Sequence, residues 1–189
     1  MQRRIIVGIS GSSGVVYGVR LLERLRELGT HEVHLVVSEV AGDTLAIETG
    51  QRLADLKPLC DVWHHNDNLA ASIASGSFRT EGMVVMPCSI KTLSGIANAY
   101  ADTLMVRAAD VCLKERRRLV LAVRETPLHK GHLELMVRAT DYGAVIMPPV
   151  PAFYTKPASV DELIDQTVCR ALDCLGIEHS LLKRWGEAG

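Results

Sequence analysis

Gly11-Ser12-Ser13-Gly14 follows the short apolar run Arg4 to Ile9 and precedes Val15, Val19, Leu22, Leu25 and Leu28 at helical spacing. Glycines in such a turn permit positive φ and close backbone approach. The helix start adds unpaired N–H groups and the positive end of a dipole. With the hydroxyls of Ser12 and Ser13, that combination suits a phosphate. The spacing is not G-x-G-x-x-G and no G-K-[ST] is present, so the turn is neither a dinucleotide fingerprint nor a P-loop. An acidic ribose ligand is expected at the end of the second strand. Ser38 stands there instead, with Glu39 after it. A second turn of the same kind, Ser89-Ile90-Lys91-Thr92, follows the buried run Met83 to Met86 and opens a helix. Ser89 has a plain role as an N-cap. Two hydroxyl-bearing helix starts also allow one to hold a phosphate while the other lines the polar edge of a ring system.

The cations are spread along the chain. Arg107 and Lys114 are two turns apart and share a helix face, with Asp110 between them as an ion-pair partner for either. Lys114-Glu115-Arg116-Arg117-Arg118 reads as a solvated helix end that answers the C-terminal dipole. Arg124-Glu125 falls just past a strand, where a carboxylate beside a cation can trade protons with a phosphate or form a structural ion pair. His129 and His132 lack a third ligand and read as loop and helix-surface residues, so no metal is expected. His64 and His65 are adjacent and therefore diverge. Trp63 and Trp185 read as packing or interface anchors. Pro148-Pro149-Val150-Pro151-Ala152-Phe153-Tyr154 is a stiff apolar loop, either a subunit contact or one wall of a hydrophobic pocket with a phenol at its tip. The five cysteines, Cys60, Cys88, Cys112, Cys169 and Cys174, show no CxxC spacing and fit reduced thiols in a cytoplasmic protein. Cys88 reads as a small buried hydrophobe.

The elements that must position these groups alternate strand and helix. Strands are expected at Arg4 to Ile9, His31 to Val37, Met83 to Met86, Leu119 to Val123 and Ala144 to Met147. Helices are expected from Val15 to Gly29, Val40 to Thr49, Ile90 to Tyr100, Thr103 to Arg117, His132 to Asp141 and Val160 to Leu175. Ser159 and Glu162 form a capping box for the last of them. The stretch from Pro58 to Asn68 carries no clear pattern. Continuous apolar strands imply a sheet covered on both faces, and the alternation gives an α/β, doubly wound, Rossmann-like parallel sheet with helices on both faces. Ligands of such sheets bind beyond the carboxyl ends of the strands, where Ser10 to Gly14, Ser38, Pro87-Cys88-Ser89, Arg124-Glu125 and Pro148-Pro149 all fall. The 189 residues fit one domain, residues 1–189, against a prior of about 150 residues per domain. Basic and acidic residues number 21 and 22, which argues against a nucleic-acid partner. No apolar run approaches the roughly 18 residues of a membrane span, so no membrane partner is expected. A mean hydropathy of +0.14 and 48% apolar residues point to apolar surface buried between subunits.

Together these segments resemble the UbiX family of flavin prenyltransferases, within the flavoprotein group of cysteine-decarboxylase-like folds. The resemblance runs through Gly8 to Gly14 with Tyr17-Gly18, Glu48-Thr49, Ser75-Gly76-Ser77 and Pro87 to Ser94. It continues through Arg107 to Asp110, Lys114 to Arg117, Arg124 to Pro127, Gly143 to Pro149, Phe153-Tyr154 and Trp185-Gly186, and so covers nearly the whole chain. It implies transfer of a dimethylallyl group from dimethylallyl monophosphate to N5 and C6 of reduced FMN, with the prenylated flavin passed to UbiD-type decarboxylases. By motif, Gly11, Ser12, Ser13, Ser38, Ser89, Ile90, Lys91, Thr92 and Arg124 would contact FMN. Arg107, Lys114, Tyr154 and Arg170 would hold the prenyl phosphate. Ser13, Glu48 and Glu125 would handle protons. The resemblance further implies a homo-oligomer, a dodecamer with sites at subunit junctions. Some relatives carry an aromatic residue after an Asn-Asp pair. Here the sequence is Asn66-Asp67-Asn68, so Trp63, Phe78 or Tyr154 would have to supply the aromatic face. Serine in place of alanine at Ser12 is a small departure.

Clustered cations and a proton donor suit a phosphate leaving group, and the allyl fragment needs a dry pocket. Three other readings compete. They are an FMN-dependent cysteine-type decarboxylase, a direct aromatic-acid decarboxylase, and a flavin carrier without catalysis. Cysteine decarboxylases of this group use an Asn-containing loop after the proline-rich strand, and Pro148-Pro149-Val150-Pro151 has no Asn.

Overall fold

The computed structural model describes residues 3–181, so Trp185 and Gly186 lie outside the described residues. Six strands, β1 (Arg4–Ile9), β2 (Glu32–Val37), β3 (Val62–His65), β4 (Gly82–Cys88), β5 (Arg118–Val123) and β6 (Val145–Ile146), form one sheet in the order β3-β2-β1-β4-β5-β6. Every pairing is parallel. Six helices accompany them: α1 (Val15–Leu28), α2 (Glu39–Thr49), α3 (Ile90–Ala97), α4 (Leu104–Lys114), α5 (Lys130–Asp141) and α6 (Val160–Leu175).

The continuous apolar strands are covered on both sides. Ile5, Val7, Ile9, Val33, Leu35, Val84, Met86, Val120 and Ala122 pack with α1, α2 and α6. Ile6, Val36, Met83, Val85, Leu119, Leu121 and Val123 pack with α3, α4 and α5. Alternate residues of each strand thus feed opposite layers. Gly18 lets α1 reach the sheet, since a Cβ there would stand 2.4 Å from Met86 O and 2.9 Å from the Ile9 side chain. Arg20 and Arg24 of α1 grip Asp161 and Asp165 of α6, which locks the two helices side by side.

Several expectations need correction. β3 lies in the stretch that shows no clear pattern, because Trp63 faces one layer while His64 is buried in the other, and this breaks the apolar run. Two 3-10 helices, Leu53–Leu59 and Ser72–Ala74, flank it. α3 stops at Ala97 rather than Tyr100, with Ala99 at φ 52, and α4 stops at Lys114 rather than Arg117, with Arg116 at φ 56. α5 starts earlier, at Lys130, on the side-chain cap of His129. The basic run after α4 is more than a solvated end. Arg117 donates to Phe78 O and Gly76 O, while Arg118 caps α6 through Leu175 O. At Ser159 one half of the capping box forms, with Glu162 N donating to Ser159 Oγ. The Glu162 carboxylate takes Ala158 N instead of Ser159 N.

Candidate functional site

The strand order reverses between β1 and β4, and their carboxyl ends are stitched together there. Ser10 is 1% exposed. Its hydroxyl donates to Pro87 O at 2.8 Å and accepts from Ser89 N at 2.7 Å. On one side Ser38 N donates to Ile9 O, and on the other Arg124 N donates to Cys88 O, both at 3.0 Å. Met147 N to Leu121 O extends the row to the proline-rich loop. One continuous rim therefore carries Ser38, Gly11 to Gly14, Ser89 to Thr92 and Arg124-Glu125. Ser10 was not singled out as a functional residue in the sequence. A hydroxyl at a strand end is a weak signal, and only the β1–β4 adjacency gives it two partners.

Two helix starts face this rim, and they differ. At α1 the Glu48 carboxylate accepts from Gly14 N at 3.0 and 2.9 Å and from Val15 N at 3.1 Å. The dipole end at α1 is thus already answered by a carboxylate, and a phosphate there would meet like charge. At α3 the Ser89 hydroxyl takes Thr92 N, while Ile90 N and Lys91 N have no partner among the described residues. Lys91 and Arg124 have no ion-pair partner among the described residues either, and Arg124 and Glu125 do not pair with each other. Glu125 accepts from Thr126 N at 3.0 Å. Of the two helix starts, α1 has a carboxylate on its N–H groups and α3 has none among the described residues. Ser12 Oγ is buried with no partner, and a Cβ on Gly11 would stand 2.7 Å from Val40. An orphaned hydroxyl in a turn where the backbone must come this close fits a polar ring edge lying against it.

Arg107, Lys114 and Arg170 make their hydrogen bonds and ion pairs away from this rim. Arg107 donates to Ala74 O and pairs with Asp110 at 2.7 Å, so the plain ion-pair reading holds for it. Lys114 pairs with Glu115 where α4 leads into β5, at the amino edge of the sheet. It lines a hollow of about 370 Å³ with Asp110, Leu113, Asp141 and Tyr142. Arg170 is on α6, exposed and paired with Asp173 at 2.8 Å. Tyr154 is 60% exposed in the loop after β6. Phe78 is spoken for: it stacks edge-on to His34 and lies under the Arg4 guanidinium, 4.7 Å from its ring centre. Trp63 packs against the α1 and α2 layer. Tyr154 is left as the exposed aromatic of the three.

A buried polar chain goes unforeseen in the sequence. His34 Nε2 is 2.9 Å from Glu32 Oε1, and His34 Nδ1 is 2.9 Å from His64 Nε2. The carboxylate can only accept, so His34 carries its proton on Nε2 and receives one from His64 at Nδ1. Burial holds both imidazoles below the usual histidine range. Cys88 is fully enclosed, and burial pushes its thiol up to about 12, which suits a hydrophobe rather than a nucleophile. No three His, Cys, Asp or Glu side chains gather as a metal site among the described residues.

Residues 1–171 match the family described as Flavoprotein. A flavin prenyltransferase UbiX from Escherichia coli (strain K12) is 58% identical over 186 residues, covering 97% of this chain and 98% of that protein. The chain belongs to the UbiX flavin prenyltransferases. The UbiX of Thauera aromatica is 53% identical over 182 residues, covering 96% of this chain and 93% of that one. Among solved structures, AnUbiX in complex with FMN and dimethylallyl pyrophosphate superposes with a TM-score of 0.96 at 46% identity over the full length of both chains. A dodecameric FMN-dependent UbiX-like decarboxylase from Escherichia coli O157:H7 has a TM-score of 0.93 at 48% identity, covering 98% of this chain and all of that one. Beyond the UbiX proteins, the cypemycin decarboxylase shares the fold alone, at 17% identity and a TM-score of 0.67 over 92% of this chain and 93% of that one.

Proposed function

We propose that this chain is a single-domain flavin prenyltransferase that takes reduced FMN and dimethylallyl monophosphate and yields prenylated FMN. The carrying observation is the unbroken rim at the sheet's switch point, with an unpartnered Ser12 hydroxyl on one turn and unclaimed N–H groups and cations on the other. Reduced FMN supplies a nucleophilic N5 and a ring carbon, C6, that can be alkylated.

This chain's residues do the rest. The α3 start, through Ser89, Ile90, Lys91 and Thr92, takes the FMN phosphate together with Ser38 and Arg124. Gly11, Ser12 and Ser13 line the edge of the flavin ring. As the allylic carbon–oxygen bond of the donor breaks and its carbon bonds to N5, cations must take the charge left on the phosphate. Arg107, Lys114 and Arg170 fill that role, with the Tyr154 phenol as a neutral hydrogen-bond donor. Their separation within one chain is the reason an assembly is part of the reading, in which α4 of one copy completes the rim of another. Bonding at N5 displaces the N5 proton; closure at C6 then breaks the allyl double bond, whose inner carbon takes up one proton while C6 gives up one. Glu48, pinned at the α1 start, and Glu125 are the acceptors, with Ser13 as the relay between carboxylate and flavin. The product goes to a UbiD-type decarboxylase, and the five free cysteines suit a cytoplasmic setting. No helix among the described residues is long and apolar enough to cross a membrane.

Anaerobic incubation with reduced FMN and the monophosphate should release phosphate and give a flavin heavier by one prenyl unit. Recovery of unmodified FMN overturns the reading, and a parallel arm with the diphosphate identifies the donor. A second reading has specific support, because two solved relatives are named decarboxylases, at 48% and 44% identity. Carbon dioxide released from hydroxybenzoates or phenylacrylates by the protein alone would favour it. Tight FMN binding with no phosphate release would favour a carrier.

A further inference from the structure

Gln166 stands on α6 among buried positions of that helix. It is 7% exposed, its Nε2 donates to Thr155 Oγ1, and its Oε1 is buried with no partner. A buried amide with half its capacity unmet is unfavourable for folding alone. Thr155 is the neighbour of Tyr154, in a segment between β6 and α6 that has no regular structure. Within that segment Val150 N donates to Pro148 O and Lys156 N to Phe153 O. Its end is held by Ala158 N on Glu162. Arg170 lies one turn beyond Gln166 on the same helix face. α6 is itself clamped to α1 by Arg20 and Arg24.

We infer that Gln166 is a positioning residue: by tethering Thr155 it sets the Tyr154 phenol at a fixed distance from the Arg170 guanidinium, and so shapes the subsite for the phosphate of the prenyl donor. The inference rests on the prenyltransferase reading for the identity of that phosphate. Gln166 touches no reacting atom. Its effect is carried by the loop, and it falls on donor binding rather than on the flavin.

The test uses Gln166→Leu, which keeps volume and removes the tether, and Thr155→Val, which removes the other half from an exposed loop where folding is not at risk. Both variants should raise KM for dimethylallyl monophosphate about tenfold, with kcat and FMN affinity within about twofold of wild type. The double variant should be no worse than either single one, because both remove the same bond. Inorganic phosphate titrated against the FMN-loaded proteins reads the subsite without any reaction, and its binding should weaken to a similar degree in both variants. Unchanged phosphate binding in Thr155→Val, or FMN affinity falling in parallel, overturns the inference. Wild type that transfers no prenyl group, while its variants still lose phosphate, overturns the prenyltransferase reading and leaves the tether standing.

Discussion

Single residues hold the rim in register. Removing the Ser10 hydroxyl leaves Ser89 N without its partner, while Pro87 O keeps the Ser10 backbone N–H, a loss of about 1–3 kcal/mol. Ser10→Ala is therefore expected to lower the melting temperature and weaken FMN binding together, as read by calorimetry and flavin titration. Glu125→Gln should keep FMN and slow prenyl transfer by about a hundredfold, the scale of a lost general base. An unchanged rate would remove Glu125 from the proton path. The buried imidazoles make a prediction about pH. The folded state holds His34 and His64 below their ordinary value near 6.5, so the unfolded chain binds protons that the folded chain refuses. Stability is full above that value and falls as pH drops below it. Melts taken from pH 8 to 5 should show the decline, and His64→Gln should flatten it. Glu81 and Asp55, held below the carboxylate range by Arg3 and by the Arg52 backbone, add losses only at more acid pH.

At the scale of elements, the position of α1 is set by what a glycine permits. A methyl at Gly18 would meet Met86 O at 2.4 Å, so Gly18→Ala must push the helix off β1 and β4. Overpacking of this kind costs about 1–3 kcal/mol, and the displaced turn should lose FMN even where the fold survives. Retention of flavin at wild-type affinity would show that the turn moves independently of the helix. Gly176, at φ 69, makes a similar case at the end of α6. A Cβ there would fall 1.6 Å from Arg118 Nη1, so Gly176→Ala should unseat the arginine that caps Leu175 O. The helices with strong periodicity, α1 and α6, were legible in the sequence because each buries a regular stripe. β3 was not, because a strand that mixes Trp63 with paired histidines lacks the apolar run by which strands are recognised.

Across the whole molecule, apolar side chains remain in water. Ile47, Val150, Phe153 and Tyr154 are 84%, 74%, 67% and 60% exposed, and the last three lie in the loop beside Gln166. Exposure of this kind together with a mean hydropathy of +0.14 is the mark of surface awaiting a partner. Sedimentation should find an assembly of the dodecameric kind described for the relative from Escherichia coli O157:H7. Phe153→Asp combined with Val150→Asp should give smaller particles and lower prenyl transfer, since the α4 cations of one copy would no longer reach another's rim. A monomer with full activity would contradict the composite site.

The sequence by itself determined the doubly wound sheet, the turns beyond its strand ends and the family, because apolar periodicity and short motifs are local properties of a chain. Which of the two phosphate-competent turns stays open was decided only by the tertiary structure. Glu48 reaches the α1 start from 34 positions along the chain, and no local pattern could say that one dipole end would be taken while the other stayed free. The same holds for Ser10 and for the His34–His64 pair, whose partners are adjacent only once parallel strands lie side by side. It holds as well for Gln166, whose orphaned amide becomes meaningful when the loop folds back onto α6.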